Sequence, residues 1–279
     1  MTPDFTILGA GGFVGRNLVA HLRAQGRTVH AVDRAGLPDL LTGQNRELGH
    51  VINAIGLTAD FRSRLSETME THVELTRRVL AATRFTSFLS LSSTRVYQHA
   101  ADTDENTPLT VQPADASDLY NLSKLAGEAL CLTHPSPTVR VARLSNVYGP
   151  DSGTESFLGS VLYDALTQGT VTIGQAPQSA KDYIHVAEAV ALLAAIAEQG
   201  RHRLYNVAAG RNTTHAAIAG ALTAVGGCTV RFRDGAPTAA FPSIRVDRLA
   251  AEFGWPRSRL VDDLPGLVDA FSKEMNRAC

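Results

Sequence analysis

The chain has 279 residues, 44% of them hydrophobic and 19% charged, enough for one large α/β domain or a domain with a smaller lobe. Its 26 basic and 27 acidic residues leave a formal net charge of -1, which gives no electrostatic case for a nucleic-acid or anionic-membrane partner. Cys131, Cys228 and Cys279 are scattered without a Cys-x-x-Cys pair, so neither a disulfide framework nor a metal site is expected.

Strands are expected at Phe5–Leu8, Thr28–Val32, Val51–Ile55, Phe88–Leu91 and Val139–Leu144, with helices at Val14–Gln25, Glu67–Thr83 and Tyr120–Thr133 between them. The first apolar run leads at once into glycines and reads as a buried strand, not a leader peptide. No run approaches the roughly 18 apolar residues of a membrane helix, so the expected compartment is the cytoplasm. Strands alternating with helices predict right-handed crossovers and a doubly wound parallel sheet of Rossmann type. Residues 100–118, with Asp102, Asp104, Glu105, Pro108 and Pro113, read as a long loop, and long ordered loops tend to be functional. After Gly149-Pro150 the rhythm loosens: a helix near Ser156–Gln168, a strand near Asp182–His185, a helix at Val186–Glu198 and a strand-helix pair over Leu204–Val225. Residues 231–242 lack periodicity, and a last helix is expected at about Leu264–Asn276.

Gly9, Gly12 and Gly15 are spaced Gly-x-x-Gly-x-x-Gly between the first strand and the first helix. In that context Gly9 allows a sharp turn, Gly12 lets a pyrophosphate approach the backbone, and Gly15 packs helix on strand. The free amides opening the helix, around Phe13 and Val14, and the helix dipole would face the negative charge. Asp33 ends the second strand, where a carboxylate can accept hydrogen bonds from a ribose diol. A carboxylate repels a 2′-phosphate, so NAD is favoured; the neighbouring Arg34 keeps NADP possible. Ala54, Ile55 and Gly56, after the third strand, complete the expected cofactor surface.

Tyr120 and Lys124 are four residues apart, on one helical face. Bringing a phenol from a pKa near 10 to about 7 takes roughly 4 kcal/mol. An ammonium about 4 Å away at an effective dielectric near 20 supplies about that much. The hydroxyls of Ser90, Ser92, Ser93 and Thr94 lie at the C-terminal edge of the fourth strand, where ligands bind in open parallel sheets, and could hold a reacting oxygen near Tyr120.

These landmarks resemble the extended short-chain dehydrogenase/reductase family, in its nucleotide-sugar epimerase/dehydratase group. The resemblance is carried by Gly9/Gly12/Gly15, Leu91-Ser92-Ser93-Thr94-Arg95-Val96-Tyr97, Tyr120/Lys124, Arg143 to Pro150, Lys181 to Val186, and Tyr205-Asn206-Val207. It implies that Ser93, Tyr120 and Lys124 are catalytic, with Lys124 also on the cofactor ribose, and that Thr94, Asn146 and Lys181 contact substrate, the last two at its diphosphate. Asp182 and His185 are expected to brace a loop or cap the next helix. It further implies a Rossmann core over 1–149 and 175–207, a small C-terminal substrate-binding lobe from 150–174 and 208–279, and a homodimer joined through the 67–83 and 120–133 helices.

Three departures from the family pattern stand out. Only 17 residues separate Asp33 from Val51, where the family fits a further strand and helix, so adenine would be held by Leu40, Leu41 or the Asn53–Gly56 turn. His72 stands where the family often has Asn. Thr94-Arg95 replaces the Asp-Glu pair of the 4,6-dehydratases, which argues against dehydration. Arg231, Arg233 and Arg245 are the candidates for the family's late arginine. The expected activity is an NAD-dependent sugar epimerase; the alternatives are a ketosugar reductase and a non-catalytic NAD(P) sensor.

Overall fold

The computed structural model describes residues 2–42, 46–57, 63–150, 153, 156–239 and 241–278. Six parallel strands make the main sheet: β1 (Phe5–Leu8), β2 (Val29–Val32), β3 (His50–Asn53), β4 (Ser87–Ser93), β5 (Val139–Leu144) and β9 (Leu204–Val207), ordered β2-β1-β3-β4-β5-β9. Helices α1 (Phe13–Ala24) and α7 (Val186–Gln199) cover one face, where Leu18, Leu22, Leu193 and Ile196 meet Phe5 and Ile7. The other face carries α2 (Leu37–Thr42), a helical run over 65–82 and α5 (Asp118–Leu132), packing Leu40, Val79 and Cys131 on Leu8 and Val141. The sheet is thus doubly wound, and its order reverses between β1 and β3, the point where such sheets open a ligand crevice.

The smaller part holds β6 (Asn146–Tyr148), α6 (Phe157–Gln168), β7 (Thr170–Ile173), β8 (Ala180–His185), β10 (Asn212–Thr214), α8 (His215–Gly226), β11 (Thr229–Phe232), α9 (Asp247–Phe253) and α10 (Leu260–Ala278). Most of it closes around Tyr148, Leu162, Ile173, Leu222 and Leu264. Residues 175–207 divide: β8 pairs with β6 and β10 in a small sheet, whereas α7 and β9 cover and extend the large one. Among the described residues, no helix is long and apolar enough to cross a membrane.

Most sequence expectations shift only at their ends. The third strand stops at Asn53, leaving Ala54 and Ile55 in a turn, and the fourth runs on to Ser93. The expected 67–83 helix begins at Leu65 and is interrupted: α3 (Leu65–Met69) and α4 (Leu75–Ala82) flank one π turn, Glu70–Glu74. The 231–242 segment opens with β11, paired in parallel with β7.

The first turn is fixed by backbone packing. Gly9 has φ +79, and a Cβ there would meet Ala54 and Ile55 backbone at 3.0 Å. A Cβ at Gly15 would lie 2.1 Å from the Gly9 carbonyl oxygen. Gly15→Ala is therefore expected to lower stability by about 2–4 kcal/mol, as backbone-against-backbone overpacking does; urea unfolding within 0.5 kcal/mol of the parent would contradict this packing.

Candidate functional site

Helix α1 begins where β1 ends. Gly9 and Ala10 amides donate to the Val32 carbonyl at 2.8 and 3.1 Å, and the Gly12 amide donates to Gly9, which holds the turn closed. Gly12 caps α1 with no side-chain bond, and no acidic residue stands in the first turn, so the amides of Phe13, Val14 and Gly15 open the helix with their dipole unopposed. Gly11 has nothing within 4 Å of a built Cβ, and Gly12 meets only the Gly9 oxygen, at 3.4 Å. The protein itself does not need a bare backbone at Gly12; a phosphate approaching from outside does. The residues present fit a dinucleotide.

Asp33 and Arg34 are exposed just past β2, and one Asp33 oxygen accepts the Gly36 amide at 3.0 Å. The 54–57 turn packs against Gly9; its Ala54 amide donates to Leu8 and its Ile55 amide to Asn53 Oδ1. Leu40 is buried in the core, and Leu41 is half-buried against the same cluster.

Tyr120 and Lys124 lie on the face of α5 turned to the end of β4, 6% and 7% exposed. The Ser93 hydroxyl, at the end of β4, accepts the Arg95 amide at 3.2 Å as the cap of a short 3₁₀ turn, Thr94–Tyr97. Lys124 Nζ donates to the Leu91 carbonyl at 3.1 Å and stands 5.7 Å from the centre of the Tyr120 ring. A Cβ on Gly56 would be 3.5 Å from that nitrogen. Burial pushes the phenol above its usual value, opposed by the polar side chain of Ser93 and by the charge of Arg95. Among the charges acting on the phenol, the one that opposes burial is that of Arg95. Burial draws Lys124 itself down to about 8, against the opposing pull of Glu128.

Two features had little or no sequence signal. His72, 5% exposed, is wedged between the 54–57 turn and α5; burial, with the Lys124 charge, draws it down to about 3. One turn after Lys124, Glu128 forms a buried ion pair with Arg143 at 2.7 Å, accepts Ser92 Oγ, and through Arg143 reaches Tyr97 and Asn206. The i, i+4 spacing of Lys124 and Glu128 was the only hint of it.

Among the other expected contacts, Thr94 is buried in the 3₁₀ turn, and Asn146 on β6 donates to the Asp182 carbonyl at 2.8 Å. Lys181 lies 5.7 Å from the Phe241 ring, held below its usual value by burial and by Arg95. Asp182 accepts the Ala209 and Arg211 amides, bracing that turn, and His185 caps α7 through the Ala187 amide. Arg245 is engaged with Asp102 and Asp247 at the surface, tying down the long loop. His99, Asp115 and Asp118 bring ligand atoms within 4.8 Å of one another, but Asp118 already accepts the Gln112 amide and Asn121, making it a brace for the first turn of α5.

Residues 5–208 match the model of the NAD dependent epimerase/dehydratase family. A dTDP-glucose 4,6-dehydratase of Streptomyces griseus is 28% identical over 267 residues, covering 81% of this chain and 80% of that protein. GDP-mannose 3,5-epimerase 1 of Oryza sativa subsp. indica is 27% identical over 177 residues, 52% of this chain and 47% of the relative, so the match spans about half of that enzyme. In fold, the chain is similar to MoeE5 in complex with UDP-glucose and NAD, with a TM-score of 0.79 at 22% identity over 98% of this chain and 99% of the other. With a glycine turn that fits the cofactor and a family match over most of its length, the chain belongs to the NAD-dependent epimerase/dehydratase family.

Proposed function

We propose that this protein oxidises and re-reduces a hydroxyl-bearing carbon of a nucleotide sugar, as an epimerase or as a ketosugar reductase, with Tyr120 moving the proton. The observation that carries the reading is the placement of Tyr120 and Lys124, both buried on α5, at the C-terminal end of β4, with Lys124 Nζ on the Leu91 carbonyl and beside Gly56. NAD, when bound, would supply the hydride acceptor and donor for that carbon. Ser93 orients the sugar oxygen, and Tyr120 takes the hydroxyl proton as the carbon is oxidised, or gives one to the carbonyl oxygen as it is reduced. Lys124, beside Gly56, is placed for the cofactor ribose. Asn146 and Lys181 are assigned to the substrate diphosphate. Thr94 and Arg95 offer no carboxylate beside Ser93, which favours epimerisation or reduction over 4,6-dehydration. The reading includes a homodimer in the cytoplasm, joined through the 65–82 run and α5, where Leu65 and Met69 stand exposed.

A panel of nucleotide sugars, screened by thermal shift and then by NMR of products, finds the substrate. With it, Tyr120→Phe should keep NAD affinity within about threefold and lose at least about 10³-fold in turnover; turnover at the parental rate overturns the assignment. Products without net change in added NAD mark the epimerase, whereas stoichiometric NAD(P)H consumption marks the reductase.

Gly12→Ala should unfold like the parent, since its Cβ meets only ordinary contact, yet weaken NAD binding at least about tenfold in calorimetry, because the methyl occupies the phosphate approach. Lys124 sets a pH test. Its folded value near 8 lies below the ordinary 10.5, so the unfolded chain holds the extra proton between those limits. Stability relative to Lys124→Met should therefore rise with pH from about 8 to 10.5, by up to about 3 kcal/mol. Parallel urea-unfolding curves for the two proteins across that window would contradict a buried ammonium.

A further inference from the structure

We propose that His72 is a positioning residue that clamps the cofactor-side turn 54–57 to the catalytic turn of α5 through a one-way chain of hydrogen bonds. The inference rests on the roles given above to Tyr120, Lys124 and the glycine turn, and adds a residue to which none of those roles was assigned.

The direction of the chain follows from chemistry. The Leu57 amide can only donate, and it lies 3.2 Å from His72 Nε2, which therefore accepts. A neutral imidazole accepting at Nε2 carries its proton on Nδ1, and Nδ1 is 2.8 Å from Ser123 Oγ. Ser123 then spends its own proton on the Tyr120 carbonyl, also at 2.8 Å. Every link is satisfied in one sense only. An imidazolium could not accept the Leu57 amide, so protonation of the ring breaks the chain at its first link.

The backbone is shaped to bring this ring into place. His72 is the middle residue of the π turn that interrupts the 65–82 helix, and wider turns of this kind recur at functional sites. Its carbonyl oxygen lies 2.7 Å from where a Cβ of Gly127 would stand, so the π turn and α5 touch backbone to backbone. The ring meets Tyr120 edge-on, 5.4 Å between centres at 88°, and supports the phenol from behind. A Cβ on Gly56 would be 3.7 Å from His72 Nε2 and 3.5 Å from Lys124 Nζ, so imidazole and ammonium border the same turn. Among the described residues, the titratable and charged groups around the ring are Tyr120 and Lys124, with Glu128 beyond the ammonium. Burial and the Lys124 charge both disfavour a second positive charge, which keeps the clamp intact through the neutral range.

The test uses the full chain with NAD alone as the probe. In ¹⁵N spectra of the histidine rings, with His72→Gln identifying the signal, His72 should show the Nδ1–H tautomer and no titration down to about pH 5. His72→Gln keeps a donor and an acceptor and should bind NAD within about threefold of the parent. His72→Phe keeps the edge-on ring but neither bond, and should bind about tenfold more weakly. A ring titrating near pH 6.5, an Nε2–H tautomer, or equal NAD affinity in the parent and His72→Phe would each overturn the proposal. A packing role alone would leave both variants equal in NAD affinity, whatever it did to their melting temperatures, and that result too counts against the clamp. None of these readouts uses turnover, so a failure of the Tyr120 assignment and a failure of the clamp give separate patterns.

Discussion

The carbonyl group of Gly9 is the contact on which the site is built. It accepts the Gly12 amide on one side and lies under Gly15 on the other, so helix and strand end meet with no side chain between them. Gly9 itself sits flush against Ala54 and Ile55. Three stretches of backbone are thereby stacked at the point where the strand order reverses, their relative heights set by backbone contact and by the hydrogen bonds between them. Everything further out inherits that setting: the 54–57 turn positions Leu57, His72 answers to Leu57, and α5 answers to His72.

A second, electrostatic frame lies beneath the first. Glu128 and Arg143 form a buried bidentate pair, with further bonds from Ser92 to the carboxylate and from the guanidinium to Tyr97. Such a pair contributes little net stability, because both ions give up water, but removing one partner from it is costly. Its position gives it another use. It joins α5 to β4 and β5 just below Ser93, and through Asn206 to the Thr103 and Arg245 carbonyls at the foot of the long loop. Hydroxyl and phenol are thus held from below by directional bonds and from the side by packing.

What could be read from the sequence was whatever depends on short-range pattern. Glycine spacing after an apolar run, Tyr120 and Lys124 one turn apart, and the short stretch between Asp33 and Val51 each have a local physical reading, and among the described residues no strand lies beyond β2 in the sheet. What could not be read depends on pairs distant in sequence. The π turn leaves no periodic trace in five residues. The placement of the Lys124 ammonium is decided by the Leu91 carbonyl, 33 positions away. Arg95 acts on the phenol only because a 3₁₀ turn folds it back, and without that turn it reads as a surface charge. The brief strands β6, β7 and β10 are three or four residues long, too short for alternation to show.

The missing outer strand also has a consequence for solubility. With β2 at the border, one row of its amides and carbonyls faces away from the sheet, the arrangement that invites a foreign strand to add on. Four residues make a poor template: a visiting strand would gain few cross-chain bonds before running off either end. At one end Thr28 is already knotted to Asp4, by its amide and its hydroxyl, and at the other the chain turns away through Asp33 and Gly36. The shortened fold protects its new margin by brevity, so losing a strand and helix need not bring a tendency to aggregate.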